Sequence, residues 1–184
     1  MPVIKIISDY QEFRLLKDEW NRLLENNFSK GIWLQHEWYD CWWQAFGKSA
    51  ELFVVVMYED SRLTAVIPLM IIPMRIKGIR QRVLRFIENA ITPRSNFIFP
   101  GISVEKLESL WDEIFKHSSR WDLAILANFE QGNSGYECWL KHLKGRKIKY
   151  VELPERISPY IQLSEGWEVV KAAFGKGLKG NLNT

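Results

Sequence analysis

Residues 51–73, ELFVVVMYEDSRLTAVIPLMIIP, constrain the fold of this chain more than any other stretch. Two apolar runs rich in Val and Ile, 52–58 and 63–72, flank the short polar Glu59-Asp60-Ser61-Arg62, and β-formers on either side of a turn predict a β-hairpin. Each run is too continuously apolar for a sheet wetted on one face, so helices are expected over both faces. Pro68 lacks the N–H that a ladder needs and predicts either an edge strand or a bulge at that point.

The rest of the chain reads as cover for this hairpin. Residues 3–7 form a short strand, and Ser8 with Gln11 or Asp9 with Glu12 offers overlapping capping boxes. Phe13, Leu16, Trp20, Leu23 and Leu24 recur at spacings of three and four, which predicts one amphipathic helix. A second helix opens at Gln35-His36-Glu37, with Trp38, Cys41, Trp42 and Ala45 on one face and Gly47 as its stop. A basic loop over 74–82 then leads to a strand over 83–87, followed by a loop over 88–101 with a brief extended piece at 96–99. Ser103 caps a helix that buries Leu107, Leu110, Trp111, Ile114 and Phe115, and a buried strand spans 121–127. A helix over 134–144 rests on Tyr136, Trp139, Leu140 and Leu143, and a strand follows at 148–153. Residues 160–163 are extended, and a last helix spans 167–174. The order is that of an α/β domain with a mixed sheet.

At 184 residues the chain can bury one proper core without metal or disulfide staples. Nine Trp and ten Phe make that core unusually aromatic. The two cysteines, Cys41 and Cys138, lie far apart in apolar settings and are read as reduced, buried thiols of a cytoplasmic protein. A net charge of +3 is too mild to argue for nucleic acid. No apolar run reaches the ~20 residues that span a bilayer, so no membrane insertion is expected, while peripheral attachment stays open.

Few residue clusters carry chemistry. Arg75, Lys77, Arg80, Arg82 and Arg85 are the strong clustering of one charge sign. They read either as a solvated face or as a site for phosphate groups, to which the planar fork of Arg is suited. Arg75-x-x-Gly78-x-Arg80 half-resembles the pyrophosphate turn of acyl-CoA transferases, but it ends in Arg and precedes a strand rather than a helix. Gly175-x-Gly177-x-x-Gly180 has the letters of a dinucleotide fingerprint, yet follows a helix, which the motif does not allow. Trp42-Trp43 reads as core packing or as an aromatic wall for a ligand. His36, His117 and His142 with the two cysteines lack zinc-ligand spacing, so no metal is expected. Asp122, opening a strand, reads as a structural carboxylate or an acid–base group.

In order, the segments FRLLKDEWNRL (13–23), WLQHEWYDCWWQAFG (33–47), AVIPL (65–69), LRFI (84–87), WDLAIL (121–126) and WEVVKAAFGKGLKGNL (167–182) resemble the N-terminal half of the BioF2-like, or CelD/BcsL-type, acetyltransferase family. These are Fem-related members of the GNAT superfamily. The resemblance implies a GNAT-like sheet with helices on both faces, with residues 1–163 as a first unit and 164–184 as the start of a helix leading to a second. It implies transfer of an acyl group from acyl-CoA (acetyl-CoA) to a small-molecule or glycan amine acceptor, in surface-polysaccharide or cell-wall pathways. The second unit, or a partner chain, would supply the donor pocket.

On this resemblance Arg94, Ser95 and Asn96 are acceptor-side contacts, with Trp42 as a wall, and no residue is assigned the base. The chain departs from the family where Ser95-Asn96-Phe97 replaces a common Ser-Asp-Tyr, so a carboxylate that could orient the acceptor is missing. Its glycine-rich tail replaces a basic helix. The alternatives are a non-catalytic binding module that uses the Arg75 to Arg85 cluster for an anionic partner, and a structural unit that needs a second chain.

Overall fold

The computed structural model describes residues 2–25, 31–89, 92, 94–99, 101, 103–129, 134–153 and 166–175. The chain divides into two compact units, Met1–Lys149 and Tyr150–Thr184.

The first unit is built on the expected hairpin. β2 (Glu51–Glu59) and β3 (Arg62–Ile76) pair antiparallel through a turn in which Asp60 and Ser61 take φ of 47° and 62°. Two left-handed residues twist a two-residue turn to match the twist of its strands. β1 (Val3–Ile7) pairs antiparallel with β2, β4 (Ile79–Phe86) antiparallel with β3, and β5 (Leu123–Ile125) parallel with β4. The described strands thus form one mixed sheet in sequence order, four antiparallel and the last reached by a helical crossover.

Side-chain alternation on β2 explains the continuous apolar run. Leu52, Val54 and Val56 enter one core with Phe13, Trp20 and Tyr39, while Phe53, Val55 and Met57 enter another with Leu110, Trp111 and Trp139. Helices α1 (Tyr10–Leu15), α2 (Lys17–Glu25) and α3 (His36–Phe46) supply the first core. α4 (Val104–Lys116) and α5 (Ser134–Gly145) supply the second. Both faces are covered, as the run demands. In the second core the fully buried Trp111 meets Phe97 and Trp139 edge-on, with ring centroids 4.5 and 4.7 Å away. Truncating such a side chain costs about 3–5 kcal/mol.

The first helical segment starts where Asp9 Oδ1 accepts the Glu12 N–H at 2.9 Å, so of the two capping boxes the Asp9 one closes. Its apolar stripe is the expected one, but the helix is interrupted at Leu16, which caps α1 before α2 begins. Ser103 stands at the N-cap position of α4 without its side chain closing on the helix N–H groups. In the second unit α6 (Trp167–Ala173) is the expected last helix, with Trp167 edge-on to Phe174 at 5.9 Å. Among the described residues no helix is long and apolar enough to cross a membrane.

Five expectations are corrected. Pro68 lies on a central strand with no bulge at its position; the register shift falls at Met57/Tyr58. The Pro68 carbonyl accepts the Ile87 N–H at 3.0 Å, so its missing donor faces β4 where the named β3–β4 pairing ends. Residues 74–82 are not a loop: they form the two-stranded end of the β3–β4 hairpin around Lys77-Gly78, with φ of 49° and 84°. On α3 the buried face is His36, Tyr39 and Trp42, and Cys41 is exposed. Apolarity alone favours Trp38 and Cys41 over His36, but His36 enters the core because its Nε2–H donates to the Phe13 carbonyl at 2.9 Å. β5 is short and half-exposed, because as the outermost described strand it pairs on one side only. Residues 148–153 form no strand; none of the described strands pairs with them, and Val151 and Leu153 are 84% and 79% exposed. The extended piece expected at 160–163 and the glycines beyond Gly175 lie outside the described residues.

Candidate functional site

The parallel pairing of β4 with β5 ends at Arg85 and Ile125, and the carboxyl ends of parallel strands are where sheets of this kind receive ligands. Pro68 sets the geometry. With no N–H to offer, it cannot continue the ladder, and β4 leaves β3 at Ile87. The chain then returns, so that Ile98 and Val66 exchange backbone hydrogen bonds of 2.7 and 2.8 Å beside the same strand. This return is the extended piece expected at 96–99.

Just past the end of β4 sits Glu88, a buried carboxylate that accepts from three donors. Arg85 Nη2 reaches its Oε1 at 3.2 Å, while the Ser95 hydroxyl and the Asn128 amide donate to Oε2 at 2.6 and 2.8 Å. The Ser95 N–H also donates to the Asn128 carbonyl at 3.1 Å, and Asn128 holds a left-handed φ of 62°. Glu88 thereby ties the end of β4, the returning loop and the chain after β5 into one network. Such a carboxylate is compensated, which is the condition for burying it. Nearby on α3, the fully buried Tyr39 phenol is pushed far up, first by burial and then by the charge of Glu88, so it stays protonated.

The residues expected at the site are placed as follows. Ser95 is 2% exposed, with its hydroxyl committed to Glu88. Arg94 and Asn96 flank it, each half-buried, and Asn96 Oδ1 accepts the Phe97 N–H at 2.7 Å. Trp42 is 7% exposed and packs in the first core against Phe46, centroids 5.4 Å apart. Gly47 is required beside it, since a Cβ there would lie 2.6 Å from the Trp43 ring. Arg75, Lys77 and Arg80 stand at the other end of β4. Eight residues of strand separate Arg80 from Glu88, about 27 Å at the usual rise, so the two sets do not belong to one compact site.

Glu88 and Asn128 are the members that sequence reasoning missed, and Arg85, read there as part of the basic cluster, is instead the partner of Glu88. A charged residue directly after an apolar strand was the available signal. Asp122, by contrast, is a structural carboxylate: it accepts from the Arg82 backbone N–H at 2.8 Å and from its guanidinium at 2.6 Å, which depresses its carboxyl to about 2. His36 is the first residue of α3, stacked on Phe13 at 4.5 Å, and burial lowers its pKa. Among the described residues no group of His, Cys, Asp and Glu side chains is placed to hold a metal ion.

The N-terminus of α4, the helix that crosses from β4 to β5, is the place where phosphates of a donor would find free backbone N–H groups. There the Glu105 carboxyl is lowered first by its own backbone N–H and then by Ser103.

No protein-family model matches the chain, and no curated protein matches it in sequence. Among solved structures, the fold is similar to that of a ribosomal-protein-alanine N-acetyltransferase from Brucella melitensis biovar Abortus 2308, at 12% identity and a TM-score of 0.50, over 86% of this chain and 99% of that one. A GNAT family acetyltransferase from Staphylococcus aureus matches at 10% identity and a TM-score of 0.46, over 87% of this chain and 98% of that one. A possible acetyltransferase from Clostridium difficile 630 matches at 8% identity and a TM-score of 0.46, over 88% and 99%. At such identities the likeness speaks for the fold alone. The fold is the expected one: a GNAT-like mixed sheet with helices on both faces.

Proposed function

We propose that this chain is an N-acyltransferase-type domain that presents the acceptor side of the reaction, with acyl-CoA held by a second unit of the same kind, in the same polypeptide or on a partner chain. The observation that carries this reading is the link at the carboxyl ends of β4 and β5. Ser95, bound to both Glu88 and Asn128, links the end of β4 to the chain that follows β5. What stays accessible at this end of the sheet is the loop around Arg94 and Asn96, both half-buried and held by the Glu88 network beneath them.

The chemistry on this reading is attack of a neutral amine on a thioester carbonyl. A C–N bond forms, the C–S bond breaks, and the amine proton leaves to the thiolate or to solvent. Positioning supplies the acceleration. Glu88 is no general base here, because both of its oxygens already accept hydrogen bonds and its side chain is 1% exposed. An acceptor amine carried on a glycan of the cell surface suits the family resemblance.

Calorimetric titration of the chain with acetyl-CoA tests the proposal. No saturable binding is expected. Tight binding at one site per chain would overturn the assignment of this unit to the acceptor side.

A further inference from the structure

The end of the β3–β4 hairpin projects beyond its neighbours. β2 pairs with β3 only as far as Ile71, and β5 pairs with β4 only from Val83, so residues 72–82 form a two-stranded arm. The register sorts its side chains by face. Arg75 lies opposite Arg80 and Pro73 opposite Arg82 on one face; Ile72, Met74 with Gln81, and Ile76 with Ile79 share the other.

Two features of this arm work against stability. Like charges directly opposed on a sheet repel, and Arg75, Lys77 and Arg80 are all exposed, with no acidic partner among the described residues. Residues 61–87 contain no Asp or Glu that could provide one. Second, Ile79 at the tip is 64% exposed. At the arm's base, an open groove of about 710 Å³ is lined by Lys48, Arg80 and Arg82, among others. Its two carboxylates are already engaged, Asp122 by Arg82 and Glu51 by Arg120. The unspent charge of the whole region is positive.

We propose that this arm docks the protein on an anionic lipid bilayer, with Ile76 and Ile79 entering the interface and Arg75, Lys77 and Arg80 among the headgroups. A polyanion in water would use the cations but not the isoleucines, whereas a bilayer surface uses both. The inference does not rest on the acyltransferase reading, since the arm lies at the opposite end of β4 from Glu88.

Sedimentation of the full chain with vesicles tests it. The protein is expected to bind phosphatidylcholine vesicles in which a third of the lipid is phosphatidylglycerol, and not vesicles of phosphatidylcholine alone. The double change Arg75→Glu with Arg80→Glu should lower partitioning at least about 25-fold, since each basic side chain near an anionic leaflet contributes roughly fivefold. Ile79→Ser should weaken binding several-fold while leaving its salt dependence unchanged. Circular dichroism and thermal unfolding establish that each variant is folded. Equal binding to neutral vesicles, or wild-type binding by the double variant, overturns the proposal. So does retention on double-stranded DNA that is sensitive to the arginines but not to Ile79, in the absence of vesicle binding.

Discussion

The two ends of β4 treat charge in opposite ways. At the carboxyl end, Glu88 is buried and each of its oxygens meets a donor from a different part of the chain. At the amino end, Arg75, Lys77 and Arg80 stand in solvent around a two-residue turn, and the arginines face each other. The first arrangement is what a fold needs in order to close: a buried charge is tolerated only when it is compensated. The second is nothing a fold needs, and it asks for an explanation outside the chain. The contrast separates residues that shape the molecule from residues that are available to a partner.

The largest effect should come from the closed end. Glu88→Ala leaves Arg85, Ser95 and Asn128 without their common acceptor, and breaking a buried pair by removing one partner costs about 3–5 kcal/mol. Arg85 is 23% exposed and can recover some hydration, so the lower end of that range is expected in urea unfolding. Glu88→Gln sharpens the point. Its amide oxygen can replace one carboxylate oxygen toward Ser95 and Asn128, but its NH2 then faces the Arg85 guanidinium, donor against donor. It should cost about half as much, as the removal of one charged hydrogen bond does. A loss below about 1 kcal/mol for Glu88→Ala would mean that the network is not what holds the loop.

Much of the founding hairpin and its first helical cover was legible, and little of either end of β4. The Asp60-Ser61 turn between two β-forming runs needed no tertiary information, and the stripe from Phe13 to Leu24 was plain from its spacing. The continuation of β3 and β4 past Ile72 was hidden, because Arg75, Lys77, Arg80 and Arg82 dilute the apolar pattern and Lys77-Gly78 is not one of the strong hairpin pairs. The face of α3 was misread by one position. His36 and Tyr39 are polar by type and become core residues only through the Phe13 carbonyl and their aromatic neighbours. Ser95 was found through a resemblance. Glu88 and Asn128, 40 residues apart, were not, since their pairing depends on a loop that folds back where a proline ends the ladder.

A smaller effect is expected at Asp122, near the arm's base. Its folded-state carboxyl lies at about 2, below the ordinary value of 3.8, because Arg82 favours the charged form. A depressed carboxylate contributes stability that is fully present above the unfolded value and is lost as pH falls toward the folded one. The wild type should therefore unfold at a higher temperature than Asp122→Asn at neutral pH, with the difference closing between about pH 4 and pH 2. Salt should shrink it as well, since the pair is exposed. A difference undiminished at pH 2 would assign the effect to packing instead.

The smallest effect has the opposite sign. Arg75→Glu converts a like-charge pair across the strands into an attractive one with Arg80. Cross-strand ion pairs contribute about 0.2–1 kcal/mol, and exposure limits this one to roughly 0.5 kcal/mol. The variant should thus be slightly more stable than the wild type in urea unfolding at low salt, and equal to it at high salt. A natural chain that one exposed substitution can stabilise has kept charge at the expense of stability. Such a sacrifice is expected of a surface that must meet an anion. If Arg75→Glu proved destabilising at low salt, the opposed arginines would have to be satisfied within the fold. The argument that they are held for a partner would then fail.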